Sequence, residues 1–424
     1  MTNFNVSNPN ELKSALSGAK SGDTISLSGG DYGGLYLNGA KFSQPITIKS
    51  ANVKSPAKFS EMVLDGVSGI SLQSLIFDYD HSSGDDYYIQ PFTVRNSKNV
   101  SLYNSIVDGD TDPRTGVGTG HGLQLENNDG LVIANNQISK FFRGMVTLNS
   151  DNVTVKGNNV HAIRSDGMDF AQVQNTLITQ NYFHDFAAER NTDDHRDMIQ
   201  FWTTNTTKPS ANVTIKGNTF DIGNGSWTQS LFIYNERVSN DGAGSNMFYK
   251  NFVIEDNVIY NYHLHGITVG PTNGLTIRNN TVLRANGNPR AEGNAEQQGD
   301  VTVPIILVYD GSKNVTVTGN LANDVQGFKG QSGWRFDNNI TISPNGYGKY
   351  FTQQSLKSGA PHKYTPLPDS GISGYGAKNS GGGEMNDTLG LRTWIVPDMP
   401  ATTATCTHAF TQTPIMDACV DLPL

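Results

Sequence analysis

The segment Val153-Thr154-Val155-Lys156-Gly157-Asn158 recurs along the chain. It is a β-branched alternation, then a small or polar residue, then Asn. Further copies are Leu131–Asn136, Thr176–Asn181, Val213–Asn218, Phe252–Asn257, Leu275–Asn280 and Val315–Asn320, with weaker ones ending near Asn104 and Asn339. The closing Asn residues of the clear copies lie 22, 23, 37, 39, 23 and 40 residues apart. A base period of 22–23 with insertions is that of one coil of a parallel β-helix. The repeated Asn is expected to take a left-handed conformation at a sharp corner and to stack its amide on those of neighbouring coils. A leucine-rich repeat lacks its Leu scaffold here, and a β-sandwich would not hold one phase over seven copies.

Composition agrees. The chain has 424 residues, a net charge of −9, 36% hydrophobic and only 16% charged residues, and 45 Gly. Turn formers and strand formers fill the gap, which argues against a helical protein. Val, Ile, Phe and Tyr recur throughout, which argues against disorder. No apolar run approaches the roughly 18 residues of a membrane helix. Met1–Asn5 has neither a basic nor an apolar leader, so no secretory signal is expected. The acidic balance and the lack of Lys/Arg clusters argue against nucleic acid as a partner. The two cysteines, Cys406 and Cys419, either pair with each other or stay free thiols. Asn-x-Thr triplets such as Asn152-Val153-Thr154 read as corner Asn beside strand Thr, not as glycosylation sites.

The start of the chain suits a capped solenoid. Residues 10–16 form a short amphipathic helix, with Asn8 or Asn10 as N-cap. The segment from Ser21 to Leu37, SGDTISLSGGDYGGLYL, follows it. Helix and segment together resemble the opening of the right-handed, pectate-lyase-like parallel β-helix superfamily. The resemblance implies an all-β, right-handed parallel β-helix over residues 1–345 and a carbohydrate-active role. After residue 345 the repeat stops. Residues 346–424 then read as an irregular C-terminal extension for packing, oligomerisation or attachment.

A second strand in each coil suggests where chemistry sits. Its copies begin at His121, Arg143, Asp166, Asp197, Ser230 and His265. Stacked in register, those six residues form one outward column. Gln124, Val146, Asp169, Gln200, Ile233 and Thr268 form a second. Asp166 and Asp197 fall on adjacent coils, and close carboxylates separate into an acid and a base. Such a pair suits glycoside hydrolysis; a solvated polar sheet face explains it equally well. Asp169 and Glu236 are reserve carboxylates. Arg143, His195, Arg196, Gln200, His265 and His121 are candidate substrate contacts. Long coils after Asn181, Asn218 and Asn280 are expected to wall a groove. Trp202 and Trp227 stack on sugars there or merely anchor loops. No cofactor is required. A Ca²⁺ site from Asp193, Asp194, His195 and Asp197 lacks EF-hand spacing.

Within the superfamily, the Asn-x-Lys-Ser letters of chondroitinase-like and alginate lyases occur at Asn52–Ser55 but not among the site columns, and the Asp-Pro-His motif of mannuronan epimerases has no match. Asn191-Thr192-Asp193-Asp194 resembles a polygalacturonase motif by letters only. Asp166-x-x-Asp169 is similar to an arrangement in phage tailspike endoglycosidases. That resemblance implies a polysaccharide depolymerase acting on acidic bacterial polysaccharide. It further implies a homotrimer on a phage tail or baseplate, located in the virion or outside the cell. No head-binding domain precedes the coils. A uronate lyase and a non-catalytic glycan-binding spike are the alternatives.

Overall fold

The computed structural model describes residues 1–189, 192, 194–285, 302–327, 331–352 and 364–378. It is a right-handed parallel β-helix. Three parallel sheets of 13, 11 and 12 strands run its length, each adding one strand per coil. The repeat quoted above is the thirteen-stranded sheet, for example Asp151–Lys156 followed by Gln174–Thr179. The candidate site strands, among them His121–Glu126 and Arg143–Leu148, form the eleven-stranded sheet.

Inward-facing apolar residues stack coil on coil. Phe170 lies on Phe201 with ring centroids 5.0 Å apart, and Phe183 on Phe220 at 5.0 Å. These distances match the strand spacing of about 4.8 Å, so like residues meet like. The N-terminal helix spans Pro9–Gly18 and buries Leu12 and Ala15 on the first coil. Asn8 is its N-cap, accepting from the Glu11 backbone N–H at 3.0 Å. Beyond the last coil, Tyr347 and Tyr364 pack together and Tyr364 Oη donates to the Arg284 carbonyl at 2.6 Å. Cys406 and Cys419 lie outside the described residues.

The repeated Asn stacks its amide from coil to coil as expected, but it does not take the left-handed corner. Asn136, Asn158, Asn181, Asn218, Asn257, Asn280, Asn320 and Asn339 form one continuous ladder. The left-handed corner belongs instead to the residue before each: Asn135, Gly157, Gln180, Gly217, Asp256, Asn279, Gly319 and Asn338 all have positive φ. Inside the ladder the Asn amide points inward and is fully used. Asn158 Oδ1 accepts from both nitrogens of Asn136, while its Nδ2 donates to Asn181 Oδ1 and to the Ile133 carbonyl. At the weak copy near Asn104, Ser105 holds the ladder position and passes its N–H to Asn136 Oδ1.

The insertions sit at both edges of the eleven-stranded sheet. Residues 79–91, 109–120, 185–189 and 194–196 border one edge; 202–210 and 234–248 border the other. The segment after Asn280 lies largely outside the described residues. The rims therefore flank the eleven-stranded sheet on both sides, and 202–210 and 234–248 lead from it into the thirteen-stranded sheet.

Replacing Asn181 with Ala strands the Asn158 N–H and the Val155 carbonyl, both buried. Unpaired buried groups cost about 1–3 kcal/mol each, so Asn181→Ala is expected to lose about 2–5 kcal/mol in urea unfolding. Asn175→Ala, on the exposed outer row, is expected to lose under about 1 kcal/mol. Equal losses would refute the ladder's structural role.

Candidate active site

Strand register places Asp197 beside Gln229, and the pairing of Leu231 with Ile267 puts Gln229 level with His265. The first column is thus His121, Arg143, Asp166, Asp197, Gln229 and His265. Ser230 is displaced from it by one residue. In the second column Phe232, not Ile233, follows Gln200. Ile233 faces the core and is fully buried. The slip has a physical cause. The copies at His121, Arg143 and Asp166 carry a Gly after the first residue, and a Cβ at Gly167 would lie 2.6 Å from the Met198 carbonyl oxygen. The strand Gln229–Ile233 has no such Gly to mark its register.

Seven predicted residues converge. Arg143 Nε lies 3.1 Å from Asp166 Oδ2 and 3.4 Å from Asp169 Oδ2. Both approaches are out of line for a hydrogen bond, so they are ion pairs only. Asp166 Oδ1 accepts from the Asp197 backbone N–H at 3.0 Å. His195 Nδ1 is 2.8 Å from Asp197 Oδ2. Gln200 Nε2 lies 3.2 Å from His195 Nδ1, and Gln229 Nε2 lies 3.1 Å from His195 Nε2. Ser165 Oγ donates to the His195 carbonyl and holds the loop down. The Arg143 guanidinium sits between the Phe142 and Trp202 rings, 5.6 and 5.8 Å from their centroids.

The carboxylates are not on an open groove floor. Asp166, Asp169 and Asp197 are fully buried, whereas the His195 side chain is 29% exposed. Burial penalises their charged forms. Asp197 is pushed up to about 6 by burial, offset in part by His195. Asp166 is raised by burial against the pull of Arg143 and His195. Asp169 stands well above the usual carboxylate range, because burial and the Asp166 charge act together. Burial opposes the Arg143 charge, but Asp169 and Asp166 more than offset it.

The other predicted residues fall outside this group. His121 is buried, with Nδ1 3.3 Å from Gln124 Oε1. His265 Nδ1 is 2.7 Å from Thr268 Oγ1, and Phe232 stands between His265 and His195. Arg196 donates to the Glu189 carbonyl at 2.8 Å. Trp227 packs on His263 at 4.0 Å and donates to the Tyr262 carbonyl, which makes it a loop anchor. Glu236 is turned to the far rim, where Oε2 accepts from the Thr203 backbone at 2.6 Å and its hydroxyl at 3.0 Å. Asp194 is paired with Arg164 at 2.9 Å, and Asp193 lies outside the described residues. Among the described residues, the group with metal-ligand spacing is Asp166, His195 and Asp197 instead.

Three participants escape sequence reading. Gln229 is hidden by the register slip. Arg164, which holds Glu189 at 2.8 Å and Asp194, sits between two strands and outside the repeat template. Tyr87, exposed on the 79–91 loop and 4.7 Å from Phe142, has no periodic signal.

A family model described as periplasmic copper-binding protein (NosD) matches residues 90–230. No curated protein matches the chain. Among solved structures, the chain is similar to the Dettilon tailspike protein at 12% identity and a TM-score of 0.53, over 78% of this chain and 62% of that one. It is also similar to PfbA, a surface adhesin of Streptococcus pneumoniae, at 12% identity and 0.48, over 77% and 88%. An alginate lyase from Paenibacillus sp. str. FPU-7 follows at 14% and 0.42, over 80% and 99%. At these identities the likeness is one of fold: the chain is a right-handed parallel β-helix protein.

His121 is held down to about 4 by burial first and by Arg143 second. The unfolded chain then binds a proton below about 6.5 that the folded chain refuses. Stability is therefore complete at pH 7 and falls as the pH drops from about 6.5 to 4. His161, His263 and His265 are lowered by burial as well, so His121→Gln is expected to make that fall shallower without abolishing it in urea titrations at each pH. A parallel decline in both proteins would overturn the assignment. Arg143→Gln removes the permanent cation from buried acids and is expected to cost about 3–5 kcal/mol.

Proposed function

We propose that the protein is a polysaccharide depolymerase that cleaves an acidic bacterial glycan at the Asp166–Asp169–Asp197 cluster. One observation carries the proposal. Three carboxylates lie fully buried around one guanidinium, on the only sheet face that is walled by insertions at both edges among the described residues. Desolvated charge without full pairing costs stability, and such clusters gather at functional sites. The sheet face offers an extended surface on which a linear polymer can lie across successive coils.

Asp166 and Asp197 are the proposed acid–base pair, with Asp169 supporting the charge balance. Arg143, His195 and Gln200 would orient the substrate, and Trp202 would cover a sugar ring. Glu236, Trp227 and Arg196 take structural roles in this proposal. In hydrolysis the protonated carboxyl passes its proton to the leaving oxygen, and the ionised one activates water or attacks the sugar carbon. The exposed edge of His195 favours a second reading. Backed by Asp197, it would take the proton next to a uronate carboxylate and drive elimination. A virion or extracellular location, a homotrimer and attachment through residues 346–424 belong to the same proposal, drawn from the resemblance to tailspikes.

The test is incubation with a panel of acidic polysaccharides, alginate and polygalacturonate included, followed by mass spectrometry. Hydrolysis adds one water to each product; elimination leaves an unsaturated, ultraviolet-absorbing end. Asp166→Asn and Asp197→Asn are expected to lower the rate by about 10²–10⁴. Full activity in both variants defeats the residue assignment. Retained binding with no change in chain length makes the protein a glycan-binding spike.

A further inference from the structure

The charges of the buried cluster do not balance. Asp166, Asp169 and Asp197 supply three carboxylates, and Arg143 supplies one permanent cation. Both Asp169 oxygens and Asp197 Oδ1 accept no hydrogen bond, although both residues are fully buried. An anion withdrawn from water needs a counter-charge, a proton or a donor. Two positive charges would neutralise the whole group.

We propose that Asp166, His195 and Asp197 bind one divalent first-row transition cation of the Zn²⁺ class. One nitrogen or oxygen from each residue already lies within 4.8 Å of the others. Bonds of about 2.0 Å in a tetrahedral shell need ligand separations of roughly 3.3 Å. Side-chain rotations alone cover that difference. The donor set selects the ion. One imidazole and two carboxylates suit a borderline cation, whereas Ca²⁺ takes 6–8 oxygen ligands. No thiolate is present among the three, so a soft monovalent ion is not favoured.

Arg143 and Asp169 then form the outer layer. Their charges cancel, and the cation cancels Asp166 and Asp197. His195 is the exposed member, so the ion enters from its side and keeps its open position toward solvent. The ligands are also the groups of the proposed glycan chemistry. Cation binding and that chemistry are therefore mutually exclusive, and the ion acts as an inhibitor that stabilises the fold. The inference rests on cluster geometry and goes beyond the depolymerase reading.

The experiment is calorimetric titration of the EDTA-stripped full chain with ZnCl₂, alongside thermal unfolding. The expected result is one saturable site, a raised unfolding temperature and at least about tenfold weaker binding in His195→Gln and Asp197→Asn. X-ray absorption of the zinc-loaded wild-type protein is expected to show one imidazole in the first shell. That measurement decides the matter even if a variant fails to fold. Absence of saturable binding overturns the proposal, as does unchanged affinity in folded His195→Gln or Ca²⁺ binding as tightly as Zn²⁺. Zinc binding without any polysaccharide cleavage upholds this inference and defeats the depolymerase reading. Cleavage that zinc leaves unaffected does the reverse.

Discussion

Everything in this molecule depends on one coil meeting the next in fixed register, and the buried Asn ladder secures it. Each amide inside the ladder, from Asn158 to Asn320, bonds to the amide above, the amide below and the backbone of a neighbouring turn. Its two N–H groups and its oxygen are all used, so the polar corner enters the interior without a desolvation penalty. A slip of one residue would break these bonds and turn core residues outward. The aromatic stacks inside the coils add dispersion contacts at the same spacing. The ladder thereby makes a rigid platform from segments that are individually only two to ten residues long.

On that platform the eleven-stranded sheet carries a burden that the fold does not require. Three buried acids share one arginine, and their protonation is shifted upward by their surroundings. The loops that bury them are tied down by Arg164, Ser165 and the glutamines around His195. Rigid support below and fixed loops above keep these side chains together despite their mutual repulsion. Proteins hold such tension where charge has a task, and neutralising one of these acids is expected to relieve it.

The repeat, the sheet arrangement and most of the site columns are legible in the sequence. Period-two alternation names the faces of a strand, and Gly after the first residue marks the register in the strands of His121, Arg143 and Asp166. Where that Gly is missing the register is unmarked: the reading holds at Asp197–Phe201 but is off by one at Gln229–Ile233. The recurring Asn and its stacked amides are legible in the sequence, but its backbone conformation is not: the left-handed turn falls on the residue before it. Corner positions such as Gly157 and Asn135 differ from ladder positions such as Asn158 and Asn136 in which side chain points inward, and a letter pattern holds no such direction. Glu236 and Trp227 carry the right chemistry in sequence yet face Thr203 and Tyr262, because loop paths have no periodicity to read.

What the sequence determined by itself is the solenoid, its capping helix and the gathering of Arg143, Asp166, Asp169, His195 and Asp197 on one face. Local hydrogen bonding and a fixed period are enough for that. Only the tertiary structure decided that these acids are buried rather than open to a groove. It also decided that Gln229 joins His195, and that Asp166 and Asp197 rather than Asp194 stand at ligand distance from it. Burial and contact between coils come from loops folding over a sheet, through interactions between residues some 30 positions apart.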